Sequence, residues 1–163
     1  MTLDEFNRLH PHAAVTELLT CCASRGWAQQ VSHGRPYRSA DALLAAGDTA
    51  FAALSACDVD TAVAAHPRIG ERPAATDRAS TWSRQEQAGV ATSDVRAELA
   101  AANVAYEERF GHVFLICATG RSAAEILAEA RRRLANDAHT ERAETVRELG
   151  AIVRLRLRKL VTQ

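Results

Sequence analysis

His112-Val113-Phe114-Leu115-Ile116-Cys117-Ala118 is the run that decides the fold. It is short, apolar and made of residues that suit a pleated, half-buried surface. No second run of this kind stands elsewhere in the chain, so it has no strand to pair with. It reads as an extended, buried connector between helices. Gly111 closes the helix before it as a C′ glycine, and Ser122 with Glu125 forms a capping box that opens the helix after it.

Working outward, the rest of the chain carries helical period and helical punctuation. Thr2 and Glu5 make a capping box for a short helix through Phe6. A second helix is expected from about Ala13 to Cys22, and a third around Trp27. Ser39 caps a helix whose inner face is Leu43, Gly47, Ala50, Phe51 and Leu54. Asp58 is read as the cap of a short helix that ends at His66. All four prolines (Pro11, Pro36, Pro67 and Pro73) lie in the first half, so everything after Pro73 can run as long helices. Ser80 or Ser83 starts one. Ser93 starts another, carrying Leu99, Val104 and Phe110. The helix after Ser122 carries Ile126, Leu127 and Leu134 and ends near Asn136, and the last runs from about Thr140 to Leu160. The fold class is all-α, a single-domain bundle of roughly seven or eight helices of ordinary length.

Bulk properties fit this reading and remove several function classes. A chain of 163 residues suits one domain over residues 1–163. Hydrophobic residues at 47% and charged residues at 25% are an ordinary globular balance. Formal net charge is zero, which counts against a nucleic-acid or anionic-membrane partner. No stretch approaches the ~18 uninterrupted apolar residues of a membrane span. Cys21, Cys22, Cys57 and Cys117 form no Cys-x-x-Cys pair, and no secretory signal precedes them, so a reducing cytoplasm fits best. Lys159 is the single lysine among 20 basic residues, and its place near the end of an Arg-rich helix does not suit a pyridoxal Schiff base. Phosphate-binding glycine patterns are absent, so a nucleotide cofactor has no support. His10-Pro11-His12 lacks a third ligand for a metal, and Arg131-Arg132-Arg133 reads as a solvated helical face.

Three places can carry chemistry. The first is His66, in Ala64-Ala65-His66-Pro67-Arg68-Ile69-Gly70-Glu71-Arg72. Proline disfavours helical geometry in the residue before it, so the imidazole stands at a helix–loop junction. Histidine exchanges protons near neutral pH, and it also suits the negative end of a helix as a purely structural group. The second is Ser83-Arg84-Gln85-Glu86-Gln87. Ser83, Glu86 and Gln87 share one helical face at a helix N-terminus, which fits anion binding, although the Ser83…Glu86 spacing is that of a purely structural capping box. The third is Arg156, in the middle of the apolar stripe Leu149, Ile152, Val153, Arg156 and Leu160. A guanidinium there needs an anion, either an internal carboxylate or the carboxylate of a substrate.

The order of these stretches is more specific than any one of them. Ala65-His66-Pro67-Arg68-Ile69-Gly70-Glu71 is followed by Ser83-x-x-Glu86-Gln87-x-Gly89, then by Arg109-Phe110-Gly111, Phe114-Leu115-Ile116-Cys117-Ala118 and Gly120-Arg121-Ser122. Leu134-Ala135-Asn136-Asp137 and Ile152-Val153-x-Leu155-Arg156-Leu157 complete the series. Over essentially its whole length the chain resembles the OHCU decarboxylases, which act on 2-oxo-4-hydroxy-4-carboxy-5-ureidoimidazoline in urate degradation. The resemblance implies a cofactor-free, all-helical homodimer acting on a small molecule. It also implies that His66 is the catalytic imidazole, with Glu86 and Arg156 at the reacting centre. Pro67, the Ser83–Gln87 stretch (Ser83, Arg84, Gln85, Glu86, Gln87) and the segment Phe114, Leu115, Ile116, Cys117 and Ala118 match the substrate-contacting parts. Two other readings compete on the same residues: a related cofactor-free lyase or hydrolase on another ureido acid, and a non-catalytic helical interaction module in which His66 and Arg156 are structural.

Overall fold

The computed structural model describes residues 1–70 and 93–162. They form eight helices: α1 (Leu3–Arg8), α2 (Pro11–Leu19), α3 (Arg25–His33), α4 (Ala40–Ala52), α5 (Ala56–Ala64), α6 (Ser93–Phe110), α7 (Ala123–Arg133) and α8 (Ala138–Val161). Among the described residues there is no strand, and the only β contact is the isolated bridge Thr2–Thr162. The 112–118 run pairs with no strand among the described residues, as its isolation in the sequence requires. No single described helix is long and apolar enough to cross a membrane. The helix expected from Ser80 or Ser83 falls outside the described residues.

Local rules place most of the boundaries. Thr2–Glu5 and Ser122–Glu125 both close as reciprocal capping boxes, and Ser39 accepts from Ala42 N at 3.1 Å. Gly111 takes φ +76 where α6 ends. One cap differs from expectation. Ser55, not Asp58, opens α5: its Oγ accepts from Asp58 N at 3.1 Å and donates to the Asp58 carboxylate at 2.5 Å. Asp58 therefore stands one turn inside, where a carboxylate still complements the helix dipole. The helix also stops at Ala64, two residues short of His66.

The chain divides into two compact units. The first contains Met1–Ala62 and Gly150–Gln163. In it α2 packs on α3 and α3 on α4, over a core that includes Phe6, Leu18, Trp27, Leu43 and Leu157. Gly47 lets α4 come close: a Cβ there would meet Leu157 Cδ2 at 2.6 Å, and its carbonyl accepts the Trp27 indole N–H at 3.0 Å. Arg35 caps the end of α1, donating to the carbonyls of Phe6 and Leu9 at 2.9 and 2.7 Å.

The second unit is Val63–Leu149. Here α6 packs on α7. One cluster of buried residues joins Ile69, Leu99, Tyr106, Phe114, Ile116, Ala118, Ile126 and Ala130. Thus the loop after His66, the connector and both helices share a single core.

Candidate active site

His66 stands just beyond α5, its N–H donating to the Val63 carbonyl at 3.0 Å. The imidazole is half-buried, with Nε2 sheltered from solvent. Pro67 is half-buried beside it. The loop that follows is fastened to α6 at three points. Arg68 grips Glu107 through two parallel bonds of 2.6 and 2.8 Å, and this bond holds the Glu107 carboxyl below its ordinary value. Asn103 Nδ2 donates to the Ile69 carbonyl at 2.9 Å. The Ile69 side chain enters the shared core, and Gly70 then turns at φ +87, where an added Cβ would press Leu99 at 3.3 Å. The junction that presents His66 is therefore a fixed corner of the second unit.

The connector alternates. Phe114, Ile116 and Ala118 point into the same core as Ile69, while Leu115 and Cys117 are not part of that cluster. A period of two is the mark of extended backbone. Two charged side chains hold it. Arg133 Nη1 donates to the Leu115 carbonyl at 2.7 Å, and Glu148 Oε2 accepts the Cys117 N–H at 2.8 Å. At its end Ala118 accepts from Arg121 N at 3.0 Å, and Gly120, at φ +80, turns the chain toward α7.

Arg133 corrects one expectation. The Arg131-Arg132-Arg133 run is not uniformly solvated: Arg131 and Arg132 are exposed, whereas Arg133 is 0% exposed. Its guanidinium donates to Glu141 through Nε at 2.9 Å and Nη2 at 2.5 Å, and to Thr145 Oγ1 at 3.1 Å. It also lies over the Phe114 ring at 4.8 Å. Tyr106 donates to Glu141 as well, and burial together with this carboxylate pushes the phenol far above its ordinary value. Asn136 completes the cluster, donating to Glu141 and Glu144 at 2.8 and 3.1 Å. The reason lies in α7: Ile126, Ala130 and Arg133 step along one face, so the third arginine of the run falls on the buried stripe.

Arg156 belongs to the first unit and is 5% exposed, on the inner face of α8 that its spacing predicts. Its positive charge acts on the two buried thiols Cys21 and Cys22. Burial pushes them up to about 12 and about 11, with Arg156 opposing the rise. Arg154 and Arg158 are exposed, and Arg154 pairs with Asp48. His10 serves as the N-cap of α2, its ring accepting from His12 N at 3.4 Å, and no cluster of potential metal ligands occurs among the described residues. Ser83, Arg84, Gln85, Glu86 and Gln87 lie outside the described residues. So the His66–Pro67 corner and Phe114–Ala118 meet through one core, with Arg156 buried in the other unit. Of the residues that fasten the loop and the connector, Asn103 and Glu148 went unnoticed in the sequence and Arg133 was read as solvated. Only Arg133 had a readable signal, its place on an apolar stripe.

Comparisons with known proteins follow the same outline. Residues 7–158 match the OHCU decarboxylase family. The Arabidopsis thaliana uric acid degradation bifunctional protein TTL is 35% identical over 149 residues, 88% of this chain, and the chain spans 46% of that protein's length. The 2-oxo-4-hydroxy-4-carboxy-5-ureidoimidazoline decarboxylase of Amia calva is 31% identical over 138 residues, covering 82% of this chain and 79% of its own. That of Haloferax volcanii is 27% identical over 158 residues, covering 96% and 94%. Among solved structures, an OHCU decarboxylase crystallised in the presence of (S)-allantoin superposes with a TM-score of 0.78 at 28% identity, covering 90% of this chain and 98% of that one. A structure of (S)-allantoin synthase shares the fold, with a TM-score of 0.75 at 14% identity over 99% of this chain and 54% of that one. Fold and sequence agree along nearly the whole chain, which belongs to the OHCU decarboxylase family.

Proposed function

We propose that this chain decarboxylates 2-oxo-4-hydroxy-4-carboxy-5-ureidoimidazoline to (S)-allantoin and carbon dioxide. The observation that carries this reading is the likeness, over 98% of its length, to an OHCU decarboxylase crystallised in the presence of (S)-allantoin. The site chemistry is consistent with it. Loss of carbon dioxide breaks one carbon–carbon bond and leaves an electron pair. In this substrate the pair moves into the neighbouring ring imine, so the substrate supplies its own electron sink. What remains for the protein is to orient the ring, stabilise the developing charge and return a proton to one face.

In this reading Arg156 orients the carboxylate end, and Glu86 and Gln87 hydrogen-bond the ureido and ring groups. Backbone groups of Phe114–Ala118 hold the planar ring. His66, on its fastened corner, is the acid–base residue that delivers the proton, a contribution typically worth ~10²–10⁴-fold. We place the enzyme, as a homodimer, in a reducing cytoplasm, where the four free cysteines would stay reduced.

The test makes the unstable substrate in situ from urate with urate oxidase and hydroxyisourate hydrolase, and follows allantoin by circular dichroism. A fast signal of one sign is expected with the protein. Slow, racemic product unchanged by the protein would overturn the reading. His66→Ala should abolish enantioselective turnover and keep the helical spectrum; undiminished turnover would remove His66 from the mechanism.

A further inference from the structure

The 114–118 connector has two backbone edges, and the protein itself fills one of them. In extended chain, the backbone groups of alternate residues face opposite edges. The Leu115 carbonyl and the Cys117 N–H therefore share an edge, and it is this edge that meets Arg133 and Glu148, at 2.7 and 2.8 Å. The N–H and C=O of Ile116 face the other way. Ile116 is 4% exposed, yet no hydrogen bond engages its N–H or C=O among the described residues. Buried backbone groups are nearly always paired, so an adjacent donor and acceptor left open in a core segment ask for a partner from outside the chain. A cyclic amide or ureido group, with its own N–H beside its own C=O, answers both at once.

We propose that Glu148, aided by Arg133, is a positioning residue: by occupying one edge of the connector it fixes the register of the opposite edge, where Ile116 receives the planar amide of the substrate. This rests on the decarboxylase reading above. The two side chains do the work of a neighbouring strand, which this all-helical unit lacks. Their own placement is rigid. Arg133 is locked by Glu141, Thr145 and Tyr106, and Glu148 projects from α8, a 24-residue helix. Neither touches the reacting atoms in this scheme. They act through where Ile116 is held, and a displacement near 1 Å in such a site can cost up to ~10²-fold.

Three variants test this. Glu148→Ala removes the acceptor, Glu148→Asp withdraws the carboxylate by one methylene, and Glu148→Gln keeps an acceptor oxygen without the charge. Substrate generated from urate gives KM and kcat, and amide hydrogen exchange reads the connector directly. Glu148→Ala and Glu148→Asp should raise KM by roughly ten- to a hundredfold, with kcat per folded enzyme far less changed. Glu148→Gln should restore KM toward wild type. The Cys117 amide should lose protection in the Ala and Asp variants and keep it in Gln, and added allantoin should protect the Ile116 amide in the wild type. A purely structural role would instead lower the amount of active enzyme at constant KM. An active wild type with Glu148→Asp and Glu148→Ala at wild-type KM would overturn the proposal and leave the decarboxylase reading standing. A wild type that does not accelerate allantoin formation would overturn both. Should Glu148→Ala fail to fold, the Asp and Gln pair still decides the matter.

Discussion

Two arginines, Arg133 near the end of α7 and Arg156 near the end of α8, occupy the same kind of position. Each falls on the apolar stripe of its helix, and each is buried. Their surroundings differ. Arg133 is met by Glu141, by the hydroxyls of Tyr106 and Thr145 and by the Leu115 carbonyl. Arg156 places its charge on two thiols that burial keeps protonated. A cation on an apolar face is thus not one signal: the groups around Arg133 make it a structural clamp, and for Arg156 the substitution itself decides between a clamp and an anion site.

That contrast can be broken. Arg133→Met should be the most damaging change, because it leaves the Glu141 carboxylate buried without its cation. Removing one partner of such a pair costs about 3–5 kcal/mol, readable as a lowered urea midpoint. A variant with wild-type stability would show that the cluster relaxes freely. Arg156→Leu should behave in the opposite way. We expect kcat/KM to fall by roughly 10–100-fold, the worth of a lost charged hydrogen bond to substrate, with the urea midpoint little moved. If that variant instead loses most of its stability, Arg156 belongs with Arg133 as a structural clamp.

Smaller effects sharpen the same contrast. The thiols around Arg156 should be inert near neutral pH: reagents should modify exposed Cys57 first and reach Cys21 and Cys22 only on unfolding. Because their folded values lie above the ordinary thiol value, the stability they contribute is intact below that value and declines as pH rises through about 11 to 12. Rapid native labelling of all four cysteines would contradict this. The smallest effect belongs to the Arg68–Glu107 tether of the His66 loop. The Glu107 carboxyl is depressed, so its contribution is present above the ordinary carboxylate value and lost as pH falls through the lower, folded one. The pair is partly exposed, so Glu107→Gln should cost no more than about 1 kcal/mol and remove that acid-side loss.

What the sequence disclosed follows from how far each interaction reaches. Capping boxes at Thr2 and Ser122, the Ser39 cap and the Gly111 stop were legible because each is settled within a turn of helix. The cap of α5 was misplaced for the same reason: Ser55 and Asp58 both satisfy cap chemistry, and three residues separate them. The connector was legible as an extended segment from its apolar run. Its fasteners were not, because Arg133 and Glu148 lie 18 and 31 residues from the groups they bind. Arg133 carried the stripe signal that drew attention to Arg156, hidden within a triplet of arginines that looked solvated. His66 was legible through Pro67, while the three attachments that make its corner rigid come from Asn103, Glu107 and a core contact of Ile69.

Trp27 offers a use of a different sort. Its ring is fully buried and its indole N–H is spent on the Gly47 carbonyl. The chain holds two tryptophans, so replacing Trp82 by phenylalanine would leave a single tryptophan, excited selectively at wavelengths the two tyrosines do not absorb. Its emission would then report, without any substrate, whether the unit that carries Arg156 is intact, and a lost activity could be told apart from a lost fold in one cuvette.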